Sequence, residues 1–446
     1  MIKDEKGFAD ALLAVNEWWI TGKSRKAERY PKKRSIFPNL EKELRSKRVV
    51  ILTGPRRVGK SVLLHQLIQN LLDSGTSRDN IVYYQLDDPA ISLSSDEPIK
   101  DILDNALSRS KNNRLYVFFD EVQAQKEWYK WIKSYYDREL DIKFILSGSS
   151  SLTIQADANK YLRGRTAEAE LLPLDFREFL YFSGIEATKI NKNDAVALSI
   201  ARKQIEGALE EYLLVGGFPE WFEIKNEADS KERWLNHLLA DVPKKAIYED
   251  MAVYFNIRNP KVIDLLLNMV AVNQSRIISY EILNEVVGLD RATLLNYMDF
   301  LKSSYLILEI PVYGGPKKQM KAMKKYLLID QGLRNSLMKN YAVKEENRGF
   351  IIENMVGLAL FSTYKDLSYW REQQNEVDYV AGNAPIEVKY QNTIDEKDLK
   401  GLLKFLENKG GKYGVVISKD RLEEKTIQGK KISFIPFWLF LLDPKI

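Results

Sequence analysis

At 446 residues the chain is too long for one hydrophobic core and calls for about two to four domains. Its 45% hydrophobic and 29% charged residues are those of a globular protein, and the lack of cysteine excludes disulfides, thiolate metal sites and thiol catalysis together. With only two histidines, His65 and His237, a histidine metal site or proton relay is not expected, and a net charge of +5 signals nucleic acid only where it is concentrated. The first residues lack the apolar core of a signal peptide, and no apolar run reaches the roughly 18 residues of a membrane span. The expectation is a cytoplasmic protein without membrane contact.

Residues 1–48 open with an amphipathic helical pattern ending near Trp18 and Trp19, followed by a basic stretch, 22–34, that reads as a phosphate-gripping arm or as a solvated connector. The apolar run 49–53 then leads into Gly54-Pro55-Arg56-Arg57-Val58-Gly59-Lys60-Ser61, followed by Val62. Two glycines with four residues between them, then Lys and Ser, between a strand and a helix, are the spacing and the context of a P-loop. Its backbone N–H groups wrap phosphates, so residues 54–62 are candidates for binding ATP. Lys60 would reach the β- and γ-phosphates and the Ser61 hydroxyl would ligate Mg²⁺.

Up to residue 172 short apolar runs alternate with helical patterns, with strands read at 49–53, 81–86, 115–119, 143–147 and 167–172. That is a parallel sheet covered on both faces, with ligands bound beyond the carboxyl ends of the strands. The third strand carries Asp120 and Glu121 out of the sheet, the Walker B arrangement. Asp120 would hold Mg²⁺ through water and Glu121 would polarise the attacking water, although an acidic pair after a strand also caps helices. Ser147 and Ser149, after the fourth strand, either sense the γ-phosphate or cap a helix. Arg165, ahead of Arg163, either reaches the phosphates of a neighbouring copy, which would make the active protein a homo-oligomer, or is a surface salt-bridging arginine.

Residues 173–258 read as helices forming a lid, broken at Gly216-Gly-Phe-Pro, with one helix spanning 230–254. Over 259–342 the spacing is that of a winged helix. Arg291, Thr293 and Asn296 begin its recognition helix, and Lys317, Lys318, Lys321, Lys324 and Lys325 make a wing without acids, the footprint of a DNA partner or else a docking module. In the last segment, 343–446, a helix with Glu353 precedes strands that carry Asp378 and then Glu387-Val-Lys389. Period-two alternation brings these carboxylates and the lysine to one side, as in Mg²⁺-dependent phosphodiester hydrolysis or in a surface charge ladder.

With these motifs in place the chain resembles the archaeal and bacterial ATPases of the AAA-14/DUF4143 family. The carrying residues are Gly54–Ser61, Phe119-Asp-Glu-Val-Gln123, Leu146-Ser-Gly-Ser-Ser-Ser151, Gly164-Arg165, Leu172-Pro-Leu-Asp-Phe-Arg-Glu-Phe-Leu180, Gly216-Gly-Phe-Pro-Glu220, Lys324-Lys-Tyr-Leu-Leu-Ile-Asp330, Glu353-Asn354, Tyr369-Trp-Arg371, Glu376-Val-Asp378 and Glu387-Val-Lys389. Ser147 stands where the family usually has Thr. The tail looks like the PD-(D/E)xK nuclease fold, with Val377-Asp378 where the leading Pro-Asp would be. The resemblance implies an α/β protein: an AAA-type P-loop NTPase sheet with a helical lid, a winged helix and a restriction-endonuclease-like domain. The divisions fall at 1–48, 49–185, 186–258, 259–342 and 343–446. The expected activity is Mg²⁺-dependent ATP hydrolysis on DNA. Alternatives are a signalling or defence switch with a protein partner, and an ATP-gated metal-dependent nuclease.

Overall fold

Val49–Thr53 (β1) is buried along its whole length, and that burial places it inside a sheet. The computed structural model describes residues 2–446 apart from 111–113, 150, 187–193, 252–256, 258, 365 and 392. The chain divides into two units, 1–172 with 303–305, and 173–302 with 306–446. Among the described residues no helix is long and apolar enough to cross a membrane.

In the first unit β1 joins β2 (Ile81–Gln85), β3 (Leu115–Asp120), β4 (Ile142–Gly148) and β5 (Thr166–Glu170) in a parallel sheet of order β2-β3-β4-β1-β5. The apolar runs bury β1 and β4 throughout, whereas β5 (Thr-Ala-Glu-Ala-Glu) carries acids at one edge, a guard against edge pairing. The other edge, β2, is closed by the N-terminal segment. The Asn16 side chain donates to the Tyr83 carbonyl at 2.8 Å and accepts the Tyr83 N–H at 2.7 Å, mimicking a neighbouring strand. The indoles of Trp18 and Trp19 both donate to the Ile81 carbonyl.

The basic stretch 22–34 is mostly exposed but is anchored at a few points. Arg34 is buried and donates to the carbonyls of Val58 and Leu172, and Gln66 donates to those of Tyr30 and Lys32. His65 packs as expected: its Nδ1 lies 2.8 Å from Ser24 Oγ, and burial pushes the imidazole down to about 3, so it stays neutral.

In the second unit the long helix Ala195–Val215 forms as expected, but the helix read over 230–254 ends at Leu239 and continues as wide turns, Ala240–Lys244 and Ala246–Met251. Pro243 has no N–H to continue an α-helical ladder. Residues 252–254 of that reading, and 187–193 and 258 of the expected lid, lie outside the described residues. These helices pack on Gln331–Leu337. There the buried Asp330 carboxylate accepts the N–H groups of Gly217 and Leu333, and Asn335 donates to the carbonyls of Leu213 and Leu214.

The winged-helix order is complete. Helix Pro260–Val272, β6 (Ile277–Ile278), helices Tyr280–Val287 and Arg291–Ser303, β7 (Ile307–Ile310) and β8 (Lys324–Leu328) surround an antiparallel sheet β6-β8-β7. The wing itself contains a short helix, Pro316–Lys321, where a loop was expected. The C-terminal sheet is mixed, β13-β14-β12-β11-β10-β9. Its strands are β9 (Leu367–Glu372), β10 (Asn375–Ala381), β11 (Ala384–Lys389), β12 (Tyr413–Ser418), β13 (Glu423–Ile427) and β14 (Lys430–Pro436). The wing joins this sheet through backbone: Tyr313 N–H donates to the Tyr369 carbonyl at 2.6 Å, and Tyr369 N–H to that of Pro311 at 2.9 Å.

Candidate active site

The chain leaves β1 through a turn that only glycine allows. Gly54 has φ +156°, and a Cβ there would lie 2.1 Å from the Leu171 carbonyl oxygen. Gly59, at φ +95°, caps the helix Lys60–Asp73 with open space where a side chain would stand. The Lys60 ammonium folds back into this loop, donating to the carbonyls of Gly54 and Pro55 at 3.0 Å each. It also lies 3.8 Å from Glu121 Oε1. A cation held at an open glycine turn on a helix N-terminus suits a chain of phosphates.

Register sets what faces this loop. β3 pairs with β4 as far as Phe119 opposite Leu146, so Asp120 emerges beside Ser147. Asp120 is fully buried. It accepts the Tyr83 hydroxyl on Oδ2 at 2.9 Å and the Ser147 hydroxyl on Oδ1. Burial, then Asp120, push the Tyr83 phenol well above its ordinary range, so it remains a donor.

Glu121 turns out of the strand in left-handed backbone, φ +50°, and its N–H donates to Ser147 Oγ at 3.4 Å. Its Oε2 accepts Gln123 Nε2 at 2.5 Å and the Ser149 N–H at 3.1 Å. Burial pushes the Glu121 carboxyl up, but Lys60, Gln123, Ser149 and Arg56 together outweigh that and hold it below the usual range. It is therefore ionised at neutral pH, as a base must be. Ser147 and Ser149 thus stand among the bonds that orient the two carboxylates. Tyr83 and Gln123 complete the group: Gln123 lies within the quoted motif, whereas nothing in the apolar run of β2 marks Tyr83. The donors also suit Mg²⁺. Ser61 and Asp120 offer hard oxygens, and each Asp120 oxygen keeps a lone pair for a bridging water.

Arg165 lies on β5's approach, with Nη1 2.7 Å from Asp137 Oδ1 and its guanidinium over the Tyr136 ring.

Residues 46–180 match the AAA domain of the AAA-14 family, 206–344 a domain of unknown function (DUF8612), and 348–440 a second one (DUF4143). The chain belongs to the AAA-14/DUF4143 family. An uncharacterised protein of Methanocaldococcus jannaschii is 27% identical over 92% of both chains, and one of Haemophilus influenzae is 22% identical over 88% of this chain and 94% of its own. Among solved structures, the Walker-type ATPase of Pyrococcus abyssi aligns over 71% of this chain and 98% of its own at 15% identity, TM-score 0.44.

Within the DUF8612 segment the expected DNA-contacting residues separate. Arg291 and Asn296 are exposed on the helix Arg291–Ser303, Arg291 over the Tyr280 ring. Thr293 is half-buried, and its N–H and hydroxyl both donate to Asp290. Lys317 and Lys318 are exposed, whereas the side chain of Lys321 lies outside the described residues. Lys324 pairs with Glu309 at 3.2 Å. Lys325 is not a wing residue at all: adjacent strand residues face opposite ways, and it is fully buried toward the DUF4143 domain.

The DUF4143 domain does collect Glu353, Asp378, Glu387 and Lys389. Asp378 Oδ2 accepts the Val388 N–H at 2.8 Å, and Lys389 donates to Glu387 Oε1 at 2.6 Å. Burial, then Asp378, push the Glu387 carboxyl up to about 8, and burial pushes Glu353 up to about 7. Among the described residues no group of three or more His, Cys, Asp or Glu is placed to hold a metal ion.

Proposed function

We propose that the chain is a cytoplasmic Mg²⁺-dependent ATPase that works on DNA as a homo-oligomer. The observation that carries this reading is the ionised Glu121, held by Gln123 and Ser149, 3.8 Å from the P-loop Lys60. Lys60 exchanges its two loop carbonyls for oxygens of the β- and γ-phosphates, and the N–H groups of residues 56–61 wrap the phosphate chain. Ser61 and, through water, Asp120 would hold Mg²⁺, with Tyr83 and Ser147 fixing the Asp120 carboxylate. Bound Mg²⁺ supplies charge neutralisation across the phosphates. Glu121 orients the attacking water and accepts its proton. Arg165 leaves Asp137 to meet the γ-phosphate of a neighbouring copy.

DNA contact rests on the exposed Arg291, Asn296, Lys317 and Lys318. A second reading, an ATP-driven switch with a protein partner, draws on the carboxylate of Asp290 at the start of the recognition helix and on the pairing of Lys324. ATP turnover of the full chain, with and without single-stranded, duplex and branched DNA at low and high salt, tests both. Stimulation that fades with salt supports the DNA reading, and turnover indifferent to DNA assigns the partner to protein. Absence of turnover with Mg²⁺ present defeats the ATPase reading itself.

A further inference from the structure

The DUF4143 domain has the order of elements of a metal-dependent nuclease, and its carboxylates gather on one side of β10 and β11. What occupies their midst is an ammonium. Lys325 Nζ, carried by β8 of the winged helix, lies 2.8 Å from Glu353 Oε1 and 3.7 Å from both Glu376 Oε1 and Asp378 Oδ1. It also donates to the Asp378 carbonyl at 3.2 Å and sits over the Tyr379 ring at 4.8 Å. The side chain has no exposed surface. A buried lysine of this kind persists only with such partners, because removing its charge from water costs several kcal/mol.

The arrangement opposes a divalent ion on two grounds. Magnesium demands about six oxygens at about 2.0–2.1 Å, and its positive charge would be set beside an ammonium that cannot leave without opening the β8 contact. Two further oxygens are also engaged: Asp378 Oδ2 holds the Val388 N–H and Glu387 Oε1 holds Lys389, while Glu387 Oε2 has no hydrogen-bond partner among the described residues. The same lysine ties the winged helix to the C-terminal sheet, a junction that Asn354 reinforces by pairing with both backbone groups of Leu328 at the end of β8.

We propose that Lys325 takes the place of the metal ion in this domain, so that the acidic cluster is an internal socket for a lysine of the winged helix and not a nuclease centre. This inference is independent of the ATPase reading.

The test counts bound Mn²⁺ by electron paramagnetic resonance on the nucleotide-free full chain. Wild type and Asp378→Asn should bind the same number of ions. Lys325→Met, which keeps the length of the side chain without its charge, should gain one Mn²⁺, and that ion should be lost again in Lys325→Met/Asp378→Asn. A Mn²⁺ lost from Asp378→Asn relative to wild type overturns the proposal, because the cluster would then hold metal with Lys325 in place. So does a folded Lys325→Met that gains none. Should Lys325→Met fail to fold, the comparison of wild type with Asp378→Asn decides alone.

Discussion

Gln123 Nε2 donates at 2.5 Å to the same Glu121 oxygen that accepts the Ser149 N–H. Two donors on one oxygen fix the carboxylate and favour its charged form. Glu121→Gln should keep nucleotide affinity while turnover falls on the order of 10²-fold or more, as loss of a general base does. Gln123→Leu should leave a less firmly oriented carboxylate of higher pKa. The Glu121 carboxyl of wild type lies below the usual range, so the acid limb of its pH–rate profile should move to higher pH in Gln123→Leu. Steady-state turnover across pH, with nucleotide binding measured alongside, checks both, and an unmoved acid limb removes Gln123 from this role.

Tyr83→Phe takes one of two side-chain donors from the fully buried Asp120. A hydrogen bond to a charged group contributes about 1.5–3 kcal/mol, and the buried oxygen left behind is not resolvated. The expected result is a lower unfolding midpoint together with a several-fold rise in the Mg²⁺ concentration for half-maximal turnover. A change in stability alone would leave Tyr83 a packing residue.

Asp330 gives the fold a pH dependence of defined sign. Burial raises its carboxyl to about 6, even though the N–H groups of Gly217 and Leu333 donate to it. The folded chain thus keeps a proton that the unfolded chain releases near pH 4. Its contribution to stability is fully present below about pH 4 and is lost as the pH rises through about 6. Subtracting the urea-unfolding free energy of Asp330→Asn from that of wild type should give a difference that falls by about 2–3 kcal/mol between pH 4 and 6.5. A difference constant with pH would show that Asp330 is ionised throughout.

Lys317 and Lys318 are the exposed wing lysines on which DNA contact rests. If both meet phosphates, Lys317→Ala/Lys318→Ala should weaken duplex binding and reduce the slope of log affinity against log salt by about two, at roughly 0.9 per phosphate contact. Fluorescence anisotropy over a salt series measures the slope, and an unchanged value takes the wing out of the interface.

The P-loop, the acidic pair and the strands around them were legible in the chain itself. Glycine spacing, apolar runs and period-two alternation are local signals, and Val49–Thr53 and Arg291–Ser303 form at the residues that spacing indicates. The amino-acid sequence by itself also determined the family and the gathering of Asp378 and Glu387, since adjacent strands bring such residues together whatever surrounds them. Only the tertiary structure decided the partners. Tyr83 is one more apolar-run residue until β2 is laid beside β3 in register and its hydroxyl meets Asp120. Lys324 and Lys325 look alike in a basic stretch, yet one pairs with Glu309 on its own sheet and the other is buried among carboxylates 28 to 53 residues further along. Arg34 likewise reads as a surface charge until Val58 and Leu172 present it with carbonyls. The physical reason is the same in each case: a charge is free to leave water only where distant segments supply its counter-charge or hydrogen bonds, and local spacing carries no record of those segments.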